Sequence, residues 1–234
     1  MATLIASLLL LQAPPAQTET EKLEAQLKKF GNRTYAMYVS GRKAGKLTMK
    51  SKLETEDGRR IVVFEDIRLE TSAGGTVKVT VTEKASVEGV RLISSRRVTD
   101  SDGRKALDLI TVTGSKAAVR FDDEKRKELE IPEKTVGEQA VLRLVCSAVQ
   151  EKGTFIAIDV LSQFTGELES RELKCEGKVD IEIGDRKVEA IRWQERGQAG
   201  KPGGHVKNTY WVSSAGHLLK YVGGGGVEYV LESK

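Results

Sequence analysis

From Thr34 onward, the sequence alternates apolar and polar residues in short runs that are separated by turn residues. The clearest run is Thr76–Lys84, in which valines alternate with lysine and threonine. A period of two places the apolar side chains on one face of a β-strand. Turns as short as Asp57-Gly58 and Gly114-Ser115 predict antiparallel pairing, because a parallel crossover needs a dozen or more residues.

The same pattern recurs along the chain and predicts about a dozen strands. They are 35–40, 46–53, 60–69, 76–84, 90–99, 105–112, 116–121, 155–162, 167–183, 187–194, 206–213, 218–222 and 227–231. So many strands do not fit a flat open sheet. The predicted fold class is therefore mainly β, a strongly curled antiparallel meander that forms a half-barrel or open barrel. No linker rich in Pro, Gly or Ser divides residues 34–234, so we expect one β domain.

Two segments have helical spacing instead. In the N-terminal segment 17–33, Leu23, Leu27 and Phe30 fall on one face of a helix over Thr18–Phe30. Residues 136–149 carry apolar side chains at spacings of three and four, which predicts one internal helix with an apolar stripe. We expect both helices to pack on the sheet.

The first residues have the character of an export signal. Thr3–Leu11 is nearly all apolar and too short to span a bilayer, which needs about 20 residues. We interpret residues 1–16 as a signal peptide, with cleavage after Ala13 or Ala16, and expect a periplasmic or secreted protein. The alternative is an N-terminal helix packed on the core. No later apolar stretch is long enough for an integral membrane span.

Charge argues against nucleic acid as a partner. The chain has 38 Lys and Arg residues against 34 Asp and Glu residues, and the two signs are interspersed. A nucleic-acid-binding protein usually concentrates its basic residues on one face or in one block.

The residues that most often carry catalysis are few. The two histidines, His205 and His217, have no metal-binding spacing, and we expect no metal and no cofactor. Cys146 lies near the C-terminal end of the internal helix, where the helix dipole opposes a thiolate, so we do not expect a nucleophile. Cys146 and Cys175 form either a disulfide or two buried free thiols. No catalytic site is predicted.

Aromatic residues are concentrated in the last strands. We consider four of them candidate ligand-binding residues: Trp193, Tyr210, Trp211 and Tyr221. Tyr210 and Trp211 are adjacent, so they must face opposite sides of a sheet. Such rings either line an apolar groove on the concave face or belong to an ordinary core.

The closing strands resemble a known module. The segment Tyr210–Lys220 and the early hairpin 39–47 are similar to a β-rich module of exported bacterial proteins. That module precedes transglutaminase-like domains and resembles uncharacterised periplasmic proteins of the DUF3108 type. The resemblance implies a fold and an exported location, but no activity. With the sequence ending at Lys234, we expect no transglutaminase-like domain, and Cys146 matches no catalytic position. The lipoprotein carriers LolA and LolB are similar only in architecture.

These observations predict a non-enzymatic exported envelope protein that binds an apolar ligand or lipid moiety on the concave face of its sheet. The alternative is a structural or protein-interaction module of the envelope that has no small-molecule ligand. A third hypothesis, an enzyme, requires an activity that is lost on changing His205 or His217.

The export hypothesis predicts a processed N-terminus. Produced in a bacterial host with its own first residues, the protein is expected in the periplasmic fraction without residues 1–13 or 1–16. Mass spectrometry of the N-terminal peptide measures this. The control Leu8→Arg interrupts the apolar run and should leave the chain uncleaved. An exported fraction that retains Met1 would contradict the signal peptide.

Overall fold

The computed structural model covers most of the β-rich part of the chain. The residues that it describes are 21, 32–72, 75–87, 90–122, 126–197 and 206–232. The signal peptide (1–16), the N-terminal helix (Thr18–Phe30, apart from Glu21) and His205 lie outside the described residues.

The first eight strands form an antiparallel meander in which each strand pairs with the next. They are β1 (Arg33–Val39), β2 (Arg42–Glu56), β3 (Arg59–Ser72), β4 (Gly75–Ser86), β5 (Leu92–Ser101), β6 (Arg104–Thr113), β7 (Lys116–Phe121) and β8 (Lys127–Glu130). In β4, Val79, Val81, Glu83 and Ala85 are buried, while the three residues that alternate with them are half-buried. The period-two pattern of the sequence is thus the inside–outside pattern of the strand.

The second part of the chain begins with a helix and returns as a second meander. Its elements are β9 (Val136–Gly137), α1 (Glu138–Ser147), β10 (Phe155–Leu161), β11 (Leu168–Ile183), β12 (Arg186–Gly197), β13 (Val206–Val212), β14 (Leu218–Gly223) and β15 (Val227–Leu231). β15 pairs antiparallel with β1, so the two meanders form one sheet of fifteen strands.

The strand order corrects the prediction of one continuous meander. The chain starts in the middle of the sheet at β1, reaches one edge at β8 and then crosses to the opposite edge at β9. β9 pairs parallel with β10, because α1 supplies the crossover that parallel strands need. In the described part of the chain β8 and β9 do not pair with each other, so the sheet is not closed.

The connection between the two edges forces the sheet to curl. Fifteen strands laid flat would place β8 and β9 about 65 Å apart. Residues 131–135 are the whole connection, and they reach about 20 Å when extended. The connection is fixed at both ends, since Ile131 N–H donates to the Ser115 carbonyl at 2.8 Å and Leu92 N–H donates to the Thr135 carbonyl at 2.9 Å. The second edge therefore lies against β4 and β5.

Two hydrophobic clusters fill the concave side. The larger one joins residues of β1–β4 with residues of β10–β14 and with the apolar stripe of α1. The stripe consists of Ala140, Val141, Val145 and Cys146, all buried. The internal helix predicted over 136–149 is thus confirmed, although it spans only Glu138–Ser147. In the smaller cluster, Leu161 of β10 packs on β5, β6 and β7.

Close contact between β2 and β3 depends on a glycine. A Cβ added at Gly45 would lie 1.9 Å from the carbonyl oxygen of Leu69 on the neighbouring strand. Gly45→Ala is expected to lower the free energy of unfolding by about 2 kcal/mol, because the strands must separate. Urea denaturation measures this, with Gly225→Ala as the control, since a Cβ there meets nothing within 4 Å. Equal stability of the two variants would contradict the close approach.

Candidate functional site

The N-terminus of α1 is capped by a buried glutamate of the sheet. The Glu83 carboxylate on β4 accepts hydrogen bonds from the N–H groups of Gln139 and Ala140, both at 3.0 Å. These N–H groups have no partner within the helix, so the carboxylate satisfies them. Gly137 leaves the necessary room, since a Cβ there would lie 2.1 Å from Glu83 Oε2. Burial raises the pKa of Glu83 to about 7.

The middle of α1 is attached to β3 by a buried ion pair. Arg143 Nη2 lies 2.8 Å from Asp66 Oδ1, and both side chains are almost fully buried. The Arg143 guanidinium also lies 4.9 Å from the ring centroid of Phe64, a cation–π distance. Burial opposes the charge, but Asp66 keeps the pKa of Arg143 above its ordinary value.

The first turn of α1 is attached to β11 by a second, larger group of charges. Arg171 is 1% exposed and contacts three carboxylates: Glu138 at 2.7 Å, Glu169 at 3.0 Å and Glu195 at 3.0 Å. Despite burial, these carboxylates raise the pKa of Arg171. Arg171 thereby connects the helix to the second meander.

Hydrogen bonds extend from this group into the last strands. The Tyr210 hydroxyl and Asn208 Nδ2 both donate to Glu195, the amide at 2.7 Å. The Tyr221 hydroxyl in turn donates to Asn208 Oδ1 at 2.8 Å. Burial and the nearby Glu195 raise the pKa of Tyr210 well above its ordinary value, so its hydroxyl keeps its proton. The chain of bonds fixes the tyrosine rings.

A cavity of about 160 Å³ lies between α1 and the inner face of the sheet. Its lining residues are Leu47, Met49, Asp66, Arg68, Val79, Val81, Glu138, Gln139, Leu142, Phe164, Asn208, Tyr210, Leu218, Tyr221 and Tyr229. Phe164 is 52% exposed, so the cavity reaches the surface beside this ring. The Arg97 guanidinium lies 4.8 Å from the ring centroid and holds Phe164 at this opening.

Three cross-strand tyrosines form one wall of the cavity. Tyr210, Tyr221 and Tyr229 are register partners on β13, β14 and β15. Their ring centroids are 5.2 Å apart in the first pair and 5.6 Å apart in the second, which is nearly stacked. The wall is a broad aromatic surface with hydroxyl groups at its margin.

The four aromatic residues predicted to bind ligand do not lie together. Tyr210 and Tyr221 line the cavity, whereas Trp193 is fully buried and donates from Nε1 to Gln150 Oε1 at 2.8 Å, just after α1. Trp211 does not line the cavity. Lys220 Nζ lies 5.6 Å from the centroid of its ring. Its position opposite Tyr210 follows from their adjacency in β13.

The cysteines occupy apolar surroundings. Of the two alternatives, the structure has free thiols, since Cys146 and Cys175 are both buried and unbridged. Cys146 and His217 line a second cavity of about 20 Å³, which has room for about one water molecule. Burial raises the pKa of Cys146 to about 12, so the thiol stays protonated at neutral pH. A nucleophilic cysteine requires the opposite shift.

Sequence reasoning missed the charged residues of the cavity. Asp66 and Arg68 share a strand face with the buried Phe64, because residues two apart on a strand point to the same side. Glu83 likewise continues the inward face of Val79 and Val81. The available signal was a charged residue at a position where the alternation requires an apolar one.

Two features of the described residues bear on metal binding and on membrane spanning. Within this part of the chain, no group of three or more His, Cys, Asp or Glu side chains is placed to hold a metal ion. None of the helices in it combines the length and the apolar character needed to cross a membrane.

Comparison with known proteins identifies the fold but no family. No family model matches the sequence, and no curated protein matches it. A solved β-barrel-like protein of domain of unknown function DUF1849 from Brucella abortus is similar in structure, with 10% sequence identity and a TM-score of 0.55. The match covers 86% of this chain and 95% of that chain. A DUF1089 family protein from Pseudomonas aeruginosa matches at a TM-score of 0.38 and 10% identity, over 73% of this chain and 87% of that chain. The first likeness supports a barrel-like β fold.

The raised pKa of Glu83 predicts a pH-dependent stability. Between pH 5 and 8 the unfolded glutamate is ionised, while the folded one still binds its proton up to about pH 7. The free energy of unfolding is therefore expected to fall by about 2 kcal/mol as the pH rises from 5 to 8. Urea denaturation at both pH values measures it, and Glu83→Gln should flatten the dependence. An unchanged dependence in Glu83→Gln would contradict the assignment.

Proposed function

We propose that this protein is an exported, non-enzymatic binding protein whose cavity between α1 and the sheet takes a small apolar ligand or the end of an apolar chain. The observation that carries the proposal is an open, largely apolar cavity in an otherwise packed interior. Protein interiors contain few voids larger than a water molecule.

The volume limits what the cavity can hold. An apolar cavity of about 150 Å³ engineered in another protein stays dry and binds benzene, whereas drug-sized ligands occupy about 300–1,000 Å³. A volume of about 160 Å³ thus accommodates one aromatic ring or a short alkyl segment. A complete lipid does not fit, so a lipid would insert only one end of its chain into the cavity. The opening beside Phe164 supplies the entry path.

The surroundings of the reactive side chains support a binding role rather than catalysis. The carboxylates of Asp66 and Glu138, which line the cavity, are held by arginines. The Cys146 thiol lies outside this cavity and is protonated. The exported location rests on the apolar run Thr3–Leu11 and places the protein in the periplasm or outside the cell.

Exposed apolar side chains favour the alternative, a structural or interaction module of the envelope. Val149 is 63% exposed and Phe155, at the start of β10, is 54% exposed. Exposed apolar side chains that form a contiguous patch mark contact sites for other proteins. On this hypothesis, one partner is recovered stoichiometrically from envelope extracts, and recovery falls when Phe155 is changed to Ser.

Binding is tested with benzyl alcohol, a neutral ligand of ring size. Saturable binding to the purified protein, followed by NMR chemical shifts, is expected. Leu142→Trp should weaken it by about tenfold or more, because the indole ring occupies the cavity. The matched control is Leu144→Trp, the same change on the same helix at a position that does not line the cavity.

Two further results decide the proposal. Mass spectrometry of a solvent extract of the purified protein is expected to detect a bound apolar molecule. An empty extract, together with no saturable binding of benzyl alcohol or of hexan-1-ol, would overturn the ligand-binding role and favour the interaction module.

A further inference from the structure

We propose that the cavity selects ligands with a single carboxylate group, which Arg68 binds. The inference rests on the proposed binding function and specifies its ligand: an apolar body of ring size or a short alkyl segment that bears one carboxylate. The carboxylate would form an ion pair with the guanidinium, while the apolar body would lie against the tyrosine wall.

Arg68 lacks the partners that the neighbouring charges have. Its buried Nε has no hydrogen-bond acceptor, and its side chain makes no ion pair with any described carboxylate. In the described residues, Gln163 Nε2 and Arg192 Nε are likewise buried side-chain nitrogens that lack an acceptor. Arg68 is the member of this set that lines the larger cavity. A buried donor without a partner is costly, and a bound acceptor removes that cost.

The other charges around the cavity are matched. Asp66 is paired with Arg143 at 2.8 Å, and Glu138 is paired with Arg171 at 2.7 Å. Glu70 lies on the same strand as Arg68 but neither lines the cavity nor pairs with it. Among the side chains of the cavity wall, Arg68 is thus the cation that no close carboxylate neutralises, which favours an anionic ligand.

The anion does not belong at the N-terminus of α1, although that end also reaches the cavity. The N–H groups of Gln139 and Ala140 are already bonded to Glu83. The Glu138 carboxylate at this end would repel a second anion. Arg68 is therefore the group that binds the anion of the ligand.

Tyr229 gives the site its second component. The Arg68 side chain interacts with the Tyr229 hydroxyl, and the ring of Tyr229 stacks on that of Tyr221 at 5.6 Å. The cation thus stands at the margin of an aromatic surface. An aryl or alkyl carboxylate matches this arrangement, because its apolar part covers the rings while its oxygens reach the guanidinium.

The test compares benzoate with benzyl alcohol, which has nearly the same shape but no charge. Titrations at pH 7 followed by NMR are expected to give tighter binding of benzoate to the wild-type chain. Arg68→Gln should weaken benzoate binding by about tenfold to a hundredfold, far more than it changes the binding of benzyl alcohol. The matched control is Arg192→Gln, another arginine whose buried Nε lacks an acceptor but which does not line the cavity.

The outcomes separate this inference from the binding function. If the wild type binds both probes equally, or Arg68→Gln retains full benzoate affinity, the anion selectivity is wrong while the apolar cavity stands. If neither probe binds to the wild type or to Arg68→Gln, the binding function itself is wrong. A third arm with decanoate identifies the source of the carboxylate: tighter binding than benzoate indicates a fatty acid inserted by one end, and weaker binding indicates a small free acid.

Discussion

The shape of the molecule depends on a short crossing between the two edges of its sheet. Residues 131–135 must connect β8 to β9, which a flat sheet of fifteen strands would hold far beyond their reach. The sheet therefore bends until its second edge lies against β4 and β5, and this bending creates the concave side. α1 begins only a few residues after the crossing, so it packs on the concave side of the sheet. The cavity is the space that α1 leaves unfilled.

The helix is held there by charged side chains of the sheet as well as by its buried apolar stripe. It has ten residues, too few for an isolated helix to be stable in water. Glu83 caps its N-terminus, Glu138 reaches Arg171 on β11, and Arg143 reaches Asp66 on β3. These contacts come from both meanders, so they fix α1 relative to each of them. Because the neighbouring charges are used in this way, Arg68 stands out as the cation that remains for a ligand.

How far the sequence predicts this structure depends on how local each feature is. The strands follow from the alternation of residues such as Val79 and Val81, and the apolar stripe of α1 follows from the spacing of Val141 and Val145, which local patterns determine. The pairing of β1 with β15 and the crossing to β9 depend on distant contacts that periodicity does not encode. The same holds for Arg68: its strand face is predictable, but its lack of a carboxylate partner depends on how distant parts of the chain pack together.

The pairing of the first strand with the last one governs how the chain can fold. Tyr35 pairs with Leu231, about 200 residues later, so β1 keeps one row of free N–H and C=O groups until the C-terminus has been made. Folding is therefore expected to be slow, and the pairing of β1 with β15 is expected to form last. Until then, the exposed row offers a template to strands of other molecules, and nascent chains should rely on chaperones that shield it.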